Sequence, residues 1–382
     1  MIAVIGFYQT KFGELWERSL FELVEEAIDN GLINSQVSIE EIAAIFFGNM
    51  LAGVLENNLH SGAKISEIIK RNIPIFRVEA ACASGGVAFY NAYHYLRANL
   101  NKTVMVVGAE KMTDFSPEQI TQALSAAASG DEQEVGLTFP GAYALMANYY
   151  LKKYHFLEEN LAAVAVKNHY HGSFNKKAQF QKKITINTVL KSPYVAYPLK
   201  VFDSSPISDG AAVLVLSNNQ ALIKKVKNKV YVLGCEMATD SISLMERERL
   251  DEIKATKIAA EKVFLQTKIK RKQIQVAEVH DCFTIAEILA MEDLGFWKKG
   301  EGGEKAKNFE TMLGKGDLVV NSSGGLKSAG HPVGATGVKQ VGEIFLQLTN
   351  QAEARQVKNA RFGLAHNVGG SGGTAVVTIL GS

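Results

Sequence analysis

The segment Asn321-Ser-Ser-Gly-Gly-Leu-Lys-Ser-Ala-Gly-His-Pro-Val-Gly-Ala-Thr-Gly337 decides the fold, because it predicts a rigid loop that leads into a helix over residues 337–348. Pro332 holds the residue before it in extended backbone, so the imidazole of His331 has a defined direction. No Gly-Lys-Ser or Gly-Lys-Thr follows at the spacing of a phosphate-binding loop, which excludes that interpretation. We therefore treat His331 as a candidate catalytic residue rather than an incidental core histidine.

Outward from this segment, strands and helices follow the same order twice. The first half has predicted strands at 2–7, 42–47, 75–78, 103–108 and 210–217, and predicted helices at 19–31 and 85–98. The second half has predicted strands at 230–234, 276–280, 318–321, 362–365 and 374–380, and predicted helices at 253–264 and 337–348. Such a duplication favours two β/α halves over one long doubly wound sheet.

A third region interrupts the first half. It has helical patterns at 142–154 and 158–170, followed by lysine-rich, irregular chain at 175–183. We therefore divide the chain into an N-terminal half (1–114 plus 201–222), an inserted loop domain (115–200) and a C-terminal half (228–382).

Composition and charge exclude several kinds of protein. The chain has 382 residues, 47% of them hydrophobic, and a formal net charge of +2. That charge gives no reason to expect binding to nucleic acid or to a membrane, and no stretch is apolar enough to predict a transmembrane helix or a signal peptide. The three cysteines lie far apart, which does not fit a disulfide framework. We expect a reduced, cytoplasmic protein.

The first candidate nucleophile lies in Glu79-Ala-Ala-Cys-Ala-Ser-Gly-Gly86, between an apolar strand and an amphipathic helix. This context places Cys82 at a helix N-terminus, where free N–H groups and the helix dipole favour a thiolate. Small neighbours leave room for a substrate carbon. The alternative interpretation is a buried structural cysteine, the usual fate of a cysteine in an apolar segment.

Two further segments carry polar groups. Val279-His-Asp-Cys-Phe-Thr284 supplies His280 and Cys282 as a catalytic pair, as metal ligands, or as neighbours of a helix cap made by Asp281 or Thr284. No CxxC or HxxxH partner lies nearby, so no metal is expected. The glycines of 366–373 allow backbone N–H groups to approach a ligand as part of an oxyanion hole, although a strand–turn–strand connection explains them equally well.

Together these segments resemble the thiolase superfamily over nearly the whole chain. Gly330-His-Pro-Val-Gly-Ala-Thr-Gly337 and Ile207-Ser-Asp-Gly-Ala-Ala212 are the most specific matches. The resemblance implies an α/β fold with duplicated βαβαβαββ halves, a layered αβαβα core and an inserted loop domain. It also implies reversible acyl transfer between a cysteine and coenzyme A, coupled to a Claisen condensation, with coenzyme A thioesters as substrates and no other cofactor.

Two differences from bacterial thiolases indicate the subgroup of thiolases that this chain resembles. Bacterial thiolases carry Asn-Glu-Ala-Phe where this chain has His280-Asp-Cys-Phe283, and Cys-x-Gly where it has Asn367-Val-Gly369. Both changes occur together in archaeal acetoacetyl-CoA thiolases and in sterol-carrier-protein-type thiolases, and the insert is short, as in the archaeal type. In those groups the cysteine of the His-Asp-Cys-Phe motif resembles a replacement acid/base.

The resemblance implies a role for each candidate residue. Cys82 forms the acyl-enzyme, His331 accepts its proton, and Cys282 removes the α-proton of the second thioester. His280 and His331 are candidate donors to the enolate oxygen, and the N–H groups of Cys82 and Gly369 are candidates for the second oxyanion hole. The inserted domain would hold coenzyme A through lysines that the sequence does not identify.

Other interpretations remain open. A 3-oxoacyl-CoA thiolase of broader chain length uses the same residues, and a decarboxylating ketosynthase would use Cys82, His280 and His331 but has no need of Cys282. A thiolase-like assembly subunit is the alternative outside catalysis. The resemblance further implies a homodimer or tetramer, a place in the mevalonate route, and a complex with 3-hydroxy-3-methylglutaryl-CoA synthase and a bridging OB-fold protein with a zinc ribbon.

Overall fold

Ten strands form one mixed sheet in the computed structural model, which describes residues 1–382. The chain has twelve strands in all: β1 (Ala3–Gln9), β2 (Ile42–Gly48), β3 (Ile75–Val78), β4 (Thr103–Glu110), β5 (Tyr194–Ala196), β6 (Leu199–Lys200), β7 (Gly210–Ser217), β8 (Val230–Thr239), β9 (Val276–Glu278), β10 (Val319–Val320), β11 (Phe362–Gly369) and β12 (Thr374–Gly381). Their order in the sheet is β10-β9-β11-β12-β8-β1-β7-β4-β2-β3, and β5 and β6 form a separate small hairpin.

The sheet consists of two halves with the same topology. In the first half β2 runs parallel to β3 and β4, while β7 is antiparallel to β4 and β1. In the second half β9 runs parallel to β10 and β11, while β12 is antiparallel to β11 and β8. Only a short antiparallel contact of β1 with β8 joins them. The duplication predicted from the order of elements is therefore present in the strand order.

Helices separate and cover the two half-sheets. They are α1 (Leu20–Ser35), α2 (Ala52–Leu55), α3 (Ser61–Ile69), α4 (Ser84–Ala98), α5 (Pro117–Ser125), α6 (Gly130–Glu134), α7 (Phe139–Tyr154), α8 (Glu158–Gly172), α9 (Ile186–Leu190), α10 (Gln220–Lys225), α11 (Lys254–Thr267), α12 (Thr284–Asp293), α13 (Gly302–Lys307), α14 (Gly325–Ala329) and α15 (Val333–Leu348). Helices α4 and α15 pack against each other and against strands of both halves, while α1 and α11 lie on the outer faces. The result is the predicted αβαβα layering. No helix is both long and apolar enough to cross a membrane.

Several predicted helix boundaries differ from the observed ones, and at two of them a glycine explains the difference. Helix α1 does not end at Gly31 but continues to Ser35. Gly31 lies against Val213, where a Cβ would come within 2.6 Å, so this glycine serves close packing inside the helix. Helix α15 begins at Val333 rather than at 337, and the preceding loop contains the short helix α14. These glycines allow close packing within the elements and do not mark their ends.

The inserted region leaves the sheet after β4 and returns at β7. Helices α7 and α8 of this region pack against α12, α13 and α14 of the C-terminal half, and the buried ion pair of Lys167 with Glu287, at 2.5 Å, joins the two regions. The division into 1–114 plus 201–222, 115–200 and 228–382 stays a prediction, although the insert clearly shares a core with the C-terminal half.

Candidate active site

The segments identified in the sequence meet at one cavity of about 240 Å³. Its wall includes Cys82, Cys282 and His331. The sulfur of Cys82 and a ring nitrogen each of His280 and His331 lie within 4.8 Å of one another. Residues from three separate parts of the sequence are therefore brought together, and all of them are buried.

The backbone presents Cys82 at a sharp change of direction. The preceding residue, Ala81, has a φ of 51°, a left-handed conformation that residues other than glycine rarely adopt. Helix α4 then begins at Ser84. The thiol is thus held just ahead of the first helical turn, as the sequence predicts, and it points towards the neighbouring loop of His331.

Close contacts between glycines set the distance from Cys82 to His331. The first turns of α4 and α15 cross so tightly that a Cβ on Gly337 would lie 2.2 Å from the N atom of Gly86. A Cβ on Gly85 would lie 2.5 Å from the carbonyl oxygen of Gly334. Because no real Cβ tolerates such contacts, only glycine permits this crossing. The crossing places the nucleophile of one half beside the histidine of the other.

Hydrogen bonds determine which ring nitrogen of His331 carries the proton. Its Nδ1 lies 2.7 Å from Oγ1 of Thr336, and that hydroxyl donates to the carbonyl oxygen of Pro332 at 3.0 Å. Since the Thr336 proton is used on Pro332, the Thr336 oxygen accepts from Nδ1–H of His331. The Nε2 atom of His331 is then unprotonated, and it is available as a base for the Cys82 thiol.

Asn367 determines the tautomer of His280, which is the opposite of the tautomer of His331. The amide orientation of Asn367 is fixed, because its Oδ1 accepts from the N–H of Gly86 at 3.0 Å and its Nδ2 donates to the carbonyl oxygen of Cys82 at 3.1 Å. The second Nδ2 proton points at Nδ1 of His280, 3.2 Å away. His280 therefore carries its proton on Nε2, and this buried N–H has no partner within the protein.

The two histidines thus have different chemical capacities. His331 offers an acceptor nitrogen and His280 offers a free N–H donor. An unpaired, buried donor beside the nucleophile is the arrangement that stabilises an oxyanion. The donor atoms of Cys82, His280 and His331 are also of a kind that binds zinc, but Nε2 of His280 would first have to lose its proton.

Burial dominates the electrostatics of the nucleophile. Removal from water raises the pKa of the Cys82 thiol to about 12, although hydrogen bonds from the N–H groups of Gly370 and Cys82 act in the opposite direction. Burial and the nearby Lys339 lower the pKa of His331 to about 3. The loss of hydration outweighs the helix N-terminus, so burial opposes the thiolate that this position favours. Both shifts favour a neutral thiol and a neutral imidazole over an ion pair.

Cys282 follows β9 and faces the same cavity. Burial raises the pKa of its thiol, as does the neighbouring Cys82, whereas a hydrogen bond from the hydroxyl of Tyr143 would lower it. Asp281 and Thr284 do not cap α12. The Asp281 carboxylate accepts from the N–H of Leu326 at 2.7 Å and so braces the loop that carries His331. Thr284 instead donates to Asp203.

The oxyanion-hole prediction needs an addition. The backbone N–H that reaches the Cys82 sulfur belongs to Gly370, which has a φ of 61° and lines the cavity, rather than to Gly369. From the sequence, Asn367 is noted only as the residue that replaces the cysteine of bacterial thiolases. Thr336 is included in a specific motif without a role, and Tyr143 is not singled out. These residues act through contacts that depend on the fold.

The inserted region forms the outer wall of the cavity. Helix α5 contributes Ile120 and Leu124, helix α7 contributes Phe139, and the return to the core contributes Ser205 and Pro206. The wall is mainly apolar, as expected for the lining of a small-molecule site. None of the lysines at 175–183 lines it.

Family models match both halves of the chain. The model described as Thiolase, N-terminal domain covers residues 2–220, and the model described as Thiolase C-terminal domain-like covers residues 237–382. The chain belongs to the thiolase family. The match confirms the family predicted from the motifs of Cys82, Cys282 and His331.

Several relatives match this chain over nearly its whole length. Acetyl-CoA acetyltransferases of Methanothermobacter thermautotrophicus and Methanocaldococcus jannaschii are 42% and 41% identical, each across 99% of this chain and 98% of the relative. Sterol carrier protein 2 of Homo sapiens is 30% identical across 99% of this chain and 71% of its own length. The predicted resemblance to the archaeal and sterol-carrier-protein types is confirmed.

Solved structures confirm the fold. The Ltp2-ChsH2(DUF35) aldolase superposes with a TM-score of 0.84 at 20% identity, covering 100% of this chain and 97% of that one. Human mitochondrial 3-ketoacyl-CoA thiolase superposes with a TM-score of 0.75 at 16% identity, covering 100% and 98%. At such identities the likeness establishes the thiolase fold of this chain and nothing about its substrate.

Proposed function

We propose that this thiolase is an acetyl-CoA acetyltransferase that condenses two molecules of acetyl-CoA through an acetyl-Cys82 intermediate. The observation that carries the proposal is the meeting of Cys82, Cys282, His280 and His331 at one small cavity. The names of the relatives that are about two-fifths identical over the whole chain support the same activity.

The first half-reaction transfers an acetyl group to Cys82. The thiol attacks the thioester carbonyl while Nε2 of His331 takes its proton, and the high pKa of the thiol means that proton transfer accompanies attack. The N–H groups around the sulfur, including that of Gly370, stabilise the oxyanion. The leaving coenzyme A thiolate takes a proton from Cys282, which becomes a thiolate.

The second half-reaction forms the carbon–carbon bond. The Cys282 thiolate removes an α-proton from a second acetyl-CoA, and the enolate oxygen accepts hydrogen bonds from Nε2–H of His280 and from the now protonated His331. The enolate carbon attacks acetyl-Cys82, and the Cys82 sulfur recovers its proton from His331. Every protein group returns to its starting protonation state.

The shape of the cavity supports a short acyl group. Its volume is about 240 Å³, and Ile120, Leu124 and Phe139 form part of its apolar wall. Pockets for drug-sized ligands have volumes of roughly 300–1,000 Å³, so this space suits the reacting end of the substrate rather than a long chain. We accordingly favour acetoacetyl-CoA over longer 3-oxoacyl-CoA substrates.

Cys282 argues against decarboxylating condensation. Loss of carbon dioxide itself generates the enolate, and no base is then required at the α-carbon. A cysteine that lines the cavity beside Cys82 has a use in the thiolase reaction and none in the ketosynthase reaction. The decarboxylating ketosynthase therefore stands as the second candidate.

Assembly forms the remaining part of the proposal. We take the protein to be an active member of a complex, as a homodimer or tetramer, with a synthase and an OB-fold zinc-ribbon protein as partners. Support comes from the name of one structural neighbour, Ltp2-ChsH2(DUF35) aldolase, which pairs Ltp2 with a second component. Consumption of acetoacetyl-CoA by a partner in the mevalonate route would draw forward an unfavourable condensation.

A thiolysis assay tests the proposed substrate. Coenzyme A should cleave acetoacetyl-CoA faster than 3-oxoacyl-CoA substrates of eight or more carbons, because the volume of the cavity is small. The assay should be repeated with malonyl-CoA and an acyl-CoA primer as a test for decarboxylation. Faster cleavage of the long substrates, or condensation that requires malonyl-CoA, would overturn the assignment.

A further inference from the structure

The hydroxyl of Ser208 contacts the base without lining the cavity. Ser208 belongs to the motif at 207–212 that the sequence singles out, and it is fully buried. The cavity wall includes its neighbours Pro206 and Ile207 but not Ser208 itself. Its Oγ accepts a hydrogen bond from the backbone N–H of His331 at 2.9 Å. Ser208 therefore acts on the residue that takes the proton and not on the substrate.

The direction of this hydrogen bond is fixed by the other contacts of the hydroxyl. Oγ of Ser208 lies 2.5 Å from Oε1 of Gln179 in the inserted region and 3.2 Å from the carbonyl oxygen of Pro206. Both of those oxygens only accept, so the hydroxyl proton is used on one of them and the Ser208 oxygen accepts from His331. Since these groups are buried, water does not replace a partner that is lost.

The residue after Ser208 attaches this segment to the N-terminal half. The carboxylate of Asp209 is fully buried and accepts five hydrogen bonds from that half. The donors are the N–H groups of Leu15, Met112 and Thr113, the hydroxyl of Thr113 and the ammonium group of Lys111, at 2.6 to 3.0 Å. Ser208 is therefore held in place relative to the half of the chain that carries Cys82.

The loop that carries His331 needs such an anchor, because a glycine precedes it. Gly330 has a φ of 106°, in the region that favours glycine, and a Cβ there would lie 2.9 Å from Oγ of Ser208. The missing side chain leaves Ser208 in contact with the N–H of the next residue. Further along, Oγ1 of Thr336 lies 2.7 Å from Nδ1 of the His331 ring. The backbone and the ring of His331 thus have one anchor each.

We propose that Ser208 is a positioning residue whose hydroxyl holds the backbone of His331 and so fixes the imidazole beside the Cys82 thiol. The inference rests on the proposed function, in which His331 is the base for Cys82. A base must lie within hydrogen-bond reach of the proton that it takes, and a displacement of about 1 Å can slow a reaction about a hundredfold. No proton passes through Ser208, so the proton balance of the reaction is unchanged.

The pH dependence of Cys82 acetylation separates positioning from a loss of stability. In the unaltered protein the imidazole of His331 is unprotonated and takes the proton during attack, so the rate should be nearly constant between about pH 6 and pH 9. In Ser208→Ala the reaction depends on the rare thiolate. The rate at pH 7 should fall about a hundredfold and recover about tenfold with each pH unit. A protein that is only less stable would keep a flat profile.

Two acetyl donors keep this test independent of the proposed function. Acetyl-CoA and p-nitrophenyl acetate should each be used, and the label should be measured by mass spectrometry on the peptide that contains Cys82. The ester contains no coenzyme A, so it reports on Cys82 and His331 by itself. Acetylation by the ester but not by acetyl-CoA would overturn the proposed function, while the pH profile with the ester still decides the role of Ser208.

Ser328→Ala is the matched control. Ser328 is also fully buried, lies in the loop before His331, and donates to the carbonyl oxygen of Phe180 in the inserted region at 2.7 Å. Its replacement removes one hydrogen bond of that loop but leaves the N–H of His331 paired with Ser208. The pH profile of this variant should therefore stay flat.

Ser208→Cys covers the case in which Ser208→Ala does not fold. A thiol has nearly the shape of the hydroxyl but is a poor acceptor, so this variant should also show a rate that rises with pH. A flat profile in whichever of the two variants folds would overturn the inference. A rising profile in Ser328→Ala would do so too, because it would assign the effect to a general loosening of the loop. So would a rising profile in the unaltered protein, because His331 would then not be the base.

Discussion

At the scale of single residues, the protonation state of Cys82 is the feature most open to measurement. A thiol whose pKa is raised to about 12 is almost wholly protonated at neutral pH, and its thiolate fraction rises tenfold with each pH unit. The rate of iodoacetamide alkylation at Cys82 should therefore climb steadily from pH 6 to pH 9. A plateau beginning near pH 7 would instead indicate a preformed thiolate–imidazolium pair and contradict the neutral resting site.

Cys282 belongs to the same scale, because its role is separable from that of Cys82. Cys282→Ala should retain acetylation of Cys82 by acetyl-CoA but lose exchange of α-protons in deuterated water by at least a hundredfold, since a general base contributes about 10²–10⁴-fold. Cys235→Ala is the control, because Cys235 lies in the central core and accepts from Thr378 at 3.2 Å, away from the cavity. Exchange at the normal rate in Cys282→Ala would make that residue merely structural.

At the scale of elements, the crossing of α4 and α15 holds the site together. Gly337→Ala would place a methyl group 2.2 Å from the N atom of Gly86 and 2.3 Å from Oδ1 of Asn367, so the helices must separate. We expect a loss of about 1–3 kcal/mol in the free energy of unfolding, as for overpacked cores, together with slower acetylation of Cys82.

The matched control for this prediction is Gly130→Ala at the start of α6. A Cβ at Gly130 meets nothing within 4 Å, so urea unfolding and acetylation should remain close to those of the parent. If Gly337→Ala unfolds at the same urea concentration as the parent and acetylates at the same rate, the tight crossing does not set the geometry of the site.

Some of the helices and strands could be predicted from the sequence and others could not. Short apolar runs are enough to predict β3 and β7 at their observed bounds, and the order of the motifs is enough to bring Cys82 and His331 together. The start of α15 was not predictable in this way, since glycine in a loop and glycine at a helix crossing look alike in sequence. Burial, which determines the pKa of Cys82, depends on the packing of distant segments.

Contacts between distant residues are the other part that sequence patterns did not reach. Asn367 orients His280 across 87 residues of sequence, and it does so only because β11 passes beside the start of α4. A sequence can show that a cysteine is absent at 367. It cannot show that the asparagine there determines which nitrogen of a histidine carries a proton.

At the scale of the whole molecule, both halves of the chain contribute residues to the active site. The nucleophile comes from the N-terminal half, while His280, Cys282 and His331 come from the C-terminal half, and the insert closes the cavity over them. This division explains why the order of motifs along the chain was so informative. Neither half contains a complete site.

The proposed complex is a prediction at this scale. Co-expression with a neighbouring synthase and an OB-fold zinc-ribbon protein, followed by size-exclusion chromatography, should give one co-eluting species at micromolar concentration. The same column run on this protein alone should give a dimer or tetramer. Separate elution of all three proteins would leave it a free-standing thiolase without altering the chemistry proposed for Cys82.

The central claim is that Cys82 carries the acyl group, and mass mapping of the acetylated protein tests it most directly. After incubation with acetyl-CoA and rapid acid quenching, the peptide that contains Cys82 should gain one acetyl group, while the peptides of Cys235 and Cys282 should remain unmodified. Cys82→Ala should lose both this label and the condensation of acetyl-CoA. Full condensing activity in Cys82→Ala, or a label on Cys282 with none on Cys82, would contradict the account.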